Sequence, residues 1–150
     1  MDKFYYFGYA SNLDVETLKG RLKSDPVNLG IAALPHFGFR FNFPNPDGTA
    51  RANIIPSENE TVYGLLFEVE ESDMEFFRTS EPGYDLVEKE VFTSRGKQRA
   101  YTFISKKNKS GIFPSDTYWK TIIKGGKANG LPNSYLSQLL NRAGANPLIG

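Results

Sequence analysis

Phe37-Gly38-Phe39-Arg40-Phe41-Asn42-Phe43 alternates without a fault, with four Phe on one side and Gly, Arg and Asn on the other. A repeat of two is the repeat of a β-strand, so this stretch reads as a half-buried strand with an aromatic inner face. Working outward, Pro44-Asn45-Pro46-Asp47-Gly48 carries every turn signal and ends that strand. Ala50 to Ile55 and Val62 to Val69 then read as a strand pair around the polar loop Pro56 to Thr61. Upstream, Val27 to Leu34 reads as a separate strand, divided from Phe37 by Pro35-His36.

The outer parts of the chain mix both periods. Lys3 to Tyr9, dense in Phe and Tyr, reads as a buried first strand followed by a turn at Ala10-Ser11-Asn12. Val15, Leu18 and Leu22 recur at helical spacing over Asp14 to Leu22, with Asn12 or Asp14 as the cap. Ser72-Asp73-Met74-Glu75 has the capping-box pattern and opens a short helix through Phe76 and Phe77, ended by Glu81-Pro82-Gly83. Tyr84 to Thr93 and Arg99 to Ser105 form a hairpin around Ser94-Arg95-Gly96-Lys97. Ser115 caps a helix over Asp116 to Lys124 that Gly125-Gly126 stops, and Pro132 begins a last helix carrying Tyr135, Leu136, Leu139 and Leu140. Six or seven strands and four helices in uneven order predict an α+β fold.

Composition narrows the function classes. At 150 residues, 39% hydrophobic, one domain over 1–150 is expected, large enough to bury about 68–70% of its unfolded surface without a metal or disulfide. Eighteen Lys and Arg against 17 Asp and Glu leave a net charge of +1, far from the basic excess of a phosphate-binding surface, so no nucleic-acid partner is expected. The absence of cysteine removes thiol nucleophiles, zinc ribbons and iron–sulfur clusters. Met1-Asp2-Lys3-Phe4-Tyr5 does not resemble a signal peptide, and no apolar run reaches the ~18–20 residues of a membrane span. A cytoplasmic protein with no membrane partner is the expectation.

Few residues are candidates for chemistry. His36 is the only histidine, which leaves no multi-histidine metal site, and it reads as a partly exposed loop residue. Lys106 to Lys109 reads as a solvated hairpin edge. Tyr9-Ala10-Ser11-Asn12-Leu13 joins a buried strand to a helix, where unpaired backbone N–H groups can grip a carboxylate or an oxyanion. Glu81 lies at a helix-to-strand junction near Phe76, Phe77 and Tyr84, and a carboxylate in apolar surroundings is how a general base is built. Taken singly, a capped helix start and an exposed acid are the better explanations of these two places.

Read together they say more. Tyr6-Phe7-Gly8-Tyr9-Ala10-Ser11-Asn12-Leu13 resembles the Tyr-Gly-Ser-Asn-Leu signature of the γ-glutamylcyclotransferase-like (AIG2-like) family. Ala50 to Pro56 with Val62 to Val69, then Glu81-Pro82-Gly83-Tyr84, then Pro114-Ser115 through Tyr118 and Gly125-Gly126-Lys127-Ala128-Asn129-Gly130-Leu131-Pro132 follow in that family's order. The resemblance implies a mixed barrel-like sheet with peripheral helices and a cavity. It also implies an enzyme without metal or cofactor, acting on a small γ-glutamyl compound to release 5-oxoproline. Glu81 then matches the catalytic glutamate, serving as acid and base, and Tyr9, Ala10, Ser11, Asn12 and Leu13 the substrate-binding loop. Tyr84 and Tyr118 supply pocket hydroxyls. Two departures stand out: Ala10 replaces the usual Gly, and Pro82 intervenes before the Gly that usually follows the glutamate. The alternatives are a catalytically idle relative that binds a small carboxylate-bearing ligand, and an unrelated α+β binding domain.

Overall fold

A computed structural model of the chain describes residues 3–145; Met1-Asp2, part of the segment read for a signal peptide, and the last five residues of the expected domain lie outside them. The elements in chain order are β1 (Lys3–Gly8), α1 (Val15–Arg21), β2 (Val27–Pro44), β3 (Ala50–Glu70), α2 (Met74–Thr79), β4 (Asp85–Thr93), β5 (Gly96–Ile104), α3 (Asp116–Ala128) and α4 (Asn133–Arg142). The strands close into a barrel in the order β1-β3-β2-β4-β5. All neighbours are antiparallel except β1 and β5, whose parallel contact of Tyr6 with Tyr101 shuts the barrel. This is the mixed barrel-like sheet with peripheral helices that the family resemblance implies. Among the described residues no helix is long and apolar enough to cross a membrane.

The aromatic alternation does build the core, but it belongs to a longer element. Val27 to Leu34 and Phe37 to Phe43 are one strand, and Ala50 to Ile55 and Val62 to Val69 are likewise two ends of β3, each paired with β2 rather than with each other. Five strands therefore stand among the described residues where six or seven were expected. The apparent breaks are bulges: Pro35 opposes Thr61 and Phe37 opposes Pro56, so His36 faces the four-residue excursion Ser57 to Glu60. His36 is exposed and takes a left-handed φ of 66° to absorb the mismatch. Pro56, lacking an N–H, sits where the ladder is interrupted. A second bulge at Asn42 changes the aromatic row: Phe39 and Phe41 enter the main core, while Phe43 opposes Arg51 and packs on Tyr84 outside that cluster.

The hairpin turn is as read. Asp47 accepts the N–H and hydroxyl of Thr49 at 2.9 and 2.7 Å, and Gly48 takes φ 92°, a conformation that favours glycine.

Two local readings give way to tertiary contacts, and one to a different local bond. The capping box before α2 forms no side-chain cap; Asp73 is buried and accepts from the N–H groups of Lys23 and Ser24 at 2.9 and 3.3 Å, tying down the loop after α1. Asp14 occupies the cap position of α1 but spends its carboxylate on the Thr17 hydroxyl at 2.8 Å. Gly125-Gly126 does not stop α3, which runs on to Ala128. A Cβ on Gly125 would stand 2.3 Å from the Leu13 carbonyl carbon, so the glycine lets α3 lie directly on the turn after β1. Ser115 does cap α3, its hydroxyl accepting from Tyr118 N–H at 3.3 Å.

Candidate active site

The turn that α3 covers is the one that resembles the family signature. After β1 the chain makes a single tight helical turn, Ser11–Leu13. Leu13 is fully buried beneath α3, and Asn129 donates to its carbonyl at 3.0 Å. Burying one Leu contributes about 1.5–3 kcal/mol, so Leu13 anchors the turn instead of lining a binding surface. That corrects the expectation that it touches substrate. Arg21, from the last turn of α1, donates to the Asn12 side-chain oxygen Oδ1 at 2.7 Å and the Ser11 hydroxyl at 3.2 Å. Asn12 in turn donates to the Tyr6 hydroxyl at 2.9 Å. The side chains of Ser11 and Asn12 thus brace the loop. Their backbone N–H groups, at the start of a helical turn, have no partner among the described residues.

Ala10 has φ −127°, so the residue that replaces the signature glycine does not occupy a left-handed conformation.

Tyr9, Ala10, Ser11 and Asn12 line a cavity of about 380 Å3, its open mouth included. Glu81, Tyr84 and Tyr118 line the same cavity from the segment before β4 and the first turn of α3. Seven of the eight residues singled out from the sequence are therefore brought together, and Leu13 is not.

Glu81 is held differently from the apolar setting expected. One of its oxygens pairs with the Arg51 guanidinium of β3. The other has no hydrogen-bond partner among the described residues. Arg51 is itself fixed over the stacked rings of Phe43 and Tyr84, 5.7 and 5.2 Å from their centroids. Burial weakens the Arg51 charge, but the bond and field of Glu81 outweigh that, and its pKa is raised overall.

The tyrosines divide by where their protons go. Tyr9 donates to the Phe103 carbonyl at 2.7 Å and Tyr84 to the Ala52 carbonyl at 2.5 Å, so both hydroxyl protons are spent on the barrel wall. Tyr118 accepts from Ala52 N–H at 3.1 Å and Tyr6 accepts from Asn12, which leaves both of these protons free. Burial pushes all four hydroxyls above the ordinary tyrosine pKa, so Tyr6 and Tyr118 stay protonated as neutral donors. Tyr6, Arg21 and Arg51 were not found from the sequence. Tyr6 was absorbed in an aromatic strand, Arg21 in an amphipathic helix, and Arg51 lies thirty positions from the carboxylate it holds.

A family model described as AIG2-like matches residues 61–139. The γ-glutamylcyclotransferase of Bos taurus is 30% identical, the match covering 92% of this chain and 78% of that protein. The chain belongs to the γ-glutamylcyclotransferase-like, AIG2-like family. The Homo sapiens γ-glutamylcyclotransferase is 29% identical with the same coverage. A solved γ-glutamyl cyclotransferase structure superposes with a TM-score of 0.82 at 27% identity, covering 92% of this chain and 86% of that one. This γ-glutamylcyclotransferase-like protein is an enzyme of the cyclotransferase class.

Proposed function

We propose that the protein converts a γ-glutamyl amino acid, peptide or amine into 5-oxoproline and the free amine, without a cofactor, and that Glu81 is its acid and base. The observation that carries this reading is the unpaired oxygen of Glu81 in a cavity shared with the free N–H groups of Ser11 and Asn12. The nucleophile comes from the substrate, which is why a chain with no cysteine and one histidine suffices.

The substrate's α-ammonium gives a proton to the open oxygen of Glu81. The neutral amine then attacks its own γ-carbonyl carbon, closing a five-membered ring and placing negative charge on the carbonyl oxygen. Donors already aimed at that charge lower the barrier; the Ser11 and Asn12 N–H groups and the Tyr6 and Tyr118 hydroxyls are the ones available. Glu81 returns that proton to the leaving nitrogen as the old C–N bond breaks, then takes the second proton from the ring nitrogen and passes it to the released amine, so that a neutral lactam and an ammonium leave. Arg51 keeps the second oxygen of Glu81 in place throughout. Holding the glutamyl chain folded supplies proximity, and Arg21 beside the loop offers a cation to its carboxylate.

The test is release of 5-oxoproline from a panel of γ-glutamyl amino acids, dipeptides and amines, followed by chromatography. Turnover of at least one class, unchanged by chelator, is expected. Binding without turnover across the panel would instead support the idle, ligand-binding relative.

A further inference from the structure

A second cavity, of about 700 Å3 with its open side included, lies between α4 and the bulged part of the β2–β3 hairpin. Its walls include Thr61, Tyr63, Ser134 and Gln138, together with Glu60 and Arg142 at one end, which Arg40 joins from behind. None of the residues assigned above to the candidate active site lines it.

Two observations make this cavity more than a crevice. The first is a charge left over. Glu60 accepts both guanidinium nitrogens of Arg40, at 3.0 and 2.7 Å, and the Ser57 hydroxyl at 2.6 Å. Its charge is already matched when Arg142 adds one further contact at 3.2 Å. A guanidinium carries five donors, so Arg142, half-buried, keeps one charge and most of its hydrogen-bonding capacity uncommitted. Burial and the neighbouring Arg40 charge pull its pKa below the ordinary value, as befits a cation without a full counter-charge.

The second observation is an orphan hydroxyl. Tyr135 is 6% exposed, its ring packs edge-on against Tyr63 at 5.2 Å, and its hydroxyl has no partner of hydrogen-bond geometry. The Tyr63 backbone N–H is directed at the hydroxyl oxygen and lowers its pKa, which leaves the hydroxyl proton itself unspent, and the charges of Arg142 and Glu60 both reach it. A buried hydroxyl left without a partner costs about 1–3 kcal/mol, and such groups are rare in folded proteins. Burial keeps this one protonated, so what it offers is a donor. The side chains of Thr61, Ser134 and Gln138 are likewise in no hydrogen bond among the described residues.

We propose that this cavity is a second binding site, for a small ligand bearing an oxyanion, a carboxylate or a phosphate, held by Arg142 and the Tyr135 hydroxyl. An oxyanion supplies both things the cavity lacks: a negative charge for the surplus guanidinium and an acceptor for the unspent proton. A neutral ligand supplies only the second, and a cation is repelled. The site is separate from the proposed cyclisation chemistry and does not depend on it.

The full chain is titrated with inorganic phosphate and, separately, with acetate, at ionic strength held constant with chloride. Binding is read by melting temperature and by amide NMR shifts at Thr61 and Gln138. A saturable rise in melting temperature with one or both anions is expected, together with shifts at those amides. Response to phosphate alone assigns a phosphate-bearing ligand, response to acetate alone a carboxylate. Tyr135→Phe removes only the orphan hydroxyl, so it is expected to fold with undiminished stability and to weaken binding at least tenfold. Arg142→Gln is expected to abolish it. No saturable response in the wild type, or an equal response in both variants, overturns the proposal.

Discussion

Of the glutamates that meet arginines in this protein, Glu60 and Glu81 are treated in opposite ways. Glu60 is the more exposed of the pair, at 29% of its side chain, yet four donors from three residues occupy its two oxygens. Glu81 is the more buried, at 20%, yet only one of its oxygens is used. Satisfaction of hydrogen bonds matters more as burial increases, so stability alone would order them the other way. The Glu60 cluster spans the irregular register between β2 and β3, gathering Arg40 and Ser57 from the two strands and Arg142 from α4. The Glu81 pair fixes a carboxylate in orientation and leaves it half unsatisfied at a cavity. One arrangement serves the fold; the other retains capacity for a proton.

The largest expected effect tests that contrast at its reactive end. Glu81→Gln keeps the shape and the contact with Arg51 but takes no proton at neutral pH. It is expected to lower kcat by about 10²–10⁴, the range of general acid–base catalysis. Its melting temperature should stay near that of the wild type, because the group lost was not fully spent on the fold. A well-folded Glu81→Gln protein with near-normal turnover would remove Glu81 from the mechanism.

At the other end, Glu60→Gln is expected to do the reverse. Two guanidiniums are left facing an amide, which costs about 1–2 kcal/mol for charge-assisted bonds that are partly screened by solvent. In a chain of this size that is a fall of about 2–4 °C in Tm per kcal/mol, with 5-oxoproline release unchanged. Acid sharpens the same comparison. The Arg40 hydrogen bonds and the Ser57 hydroxyl hold Glu60 down at about 2, from an ordinary 4.5. A depressed carboxylate contributes its full stability above the unfolded value and loses it as pH falls through the folded one. The gap in Tm between wild type and Glu60→Gln is therefore expected to be constant above pH 4.5 and to close between 4.5 and about 2. A gap that persists at pH 2 would mean the cluster acts through packing rather than charge.

The two regions also differ in how far they were legible. Alternation over Phe37 to Phe43, the turn at Asp47-Gly48 and the cap at Ser115 depend on neighbours within a few residues, and pattern reading finds such features. The bulge at His36 reads as a boundary because a strand that continues through a register shift looks, in one dimension, like two strands and a loop. Asp73, inside the capping-box pattern, and Gly125, inside the helix stop, read as local signals, whereas their partners lie some fifty residues away at Lys23 and more than a hundred at Leu13. At the cavity, Tyr9, Ser11, Asn12 and Glu81 stand out locally as a polar strand-to-helix turn and a junction acid, but only their likeness to a family signature joins them into one site. Arg51 carries no such mark, since an arginine in an alternating strand reads as a solvent-facing residue. The pairing that distinguishes Glu81 from Glu60 exists only once the barrel closes.

The smallest expected effect asks whether strain is stored at the reactive end or at the structural one. Ala10, in the loop facing Glu81, has φ −127°, whereas His36, opposite the Glu60 bulge, has φ 66°. At Ala10 there is no left-handed backbone for a glycine to relieve, and it adds freedom to the unfolded chain, so Ala10→Gly is expected to cost a few tenths to about 1 kcal/mol. At His36 the same unfolded-state cost is met by relief of a left-handed backbone, which costs about 1–2 kcal/mol in a residue with a side chain. The exposed bond from its ring to the Glu58 carbonyl, at 3.0 Å, is lost with little effect. His36→Gly is therefore expected to hold or slightly raise the melting temperature while Ala10→Gly lowers it. Thermal melts of the two variants read the signs directly. If Ala10→Gly were the stabilising one, the reactive loop would be the strained region, and the bracing of Ser11 and Asn12 by Arg21 would be working against its backbone.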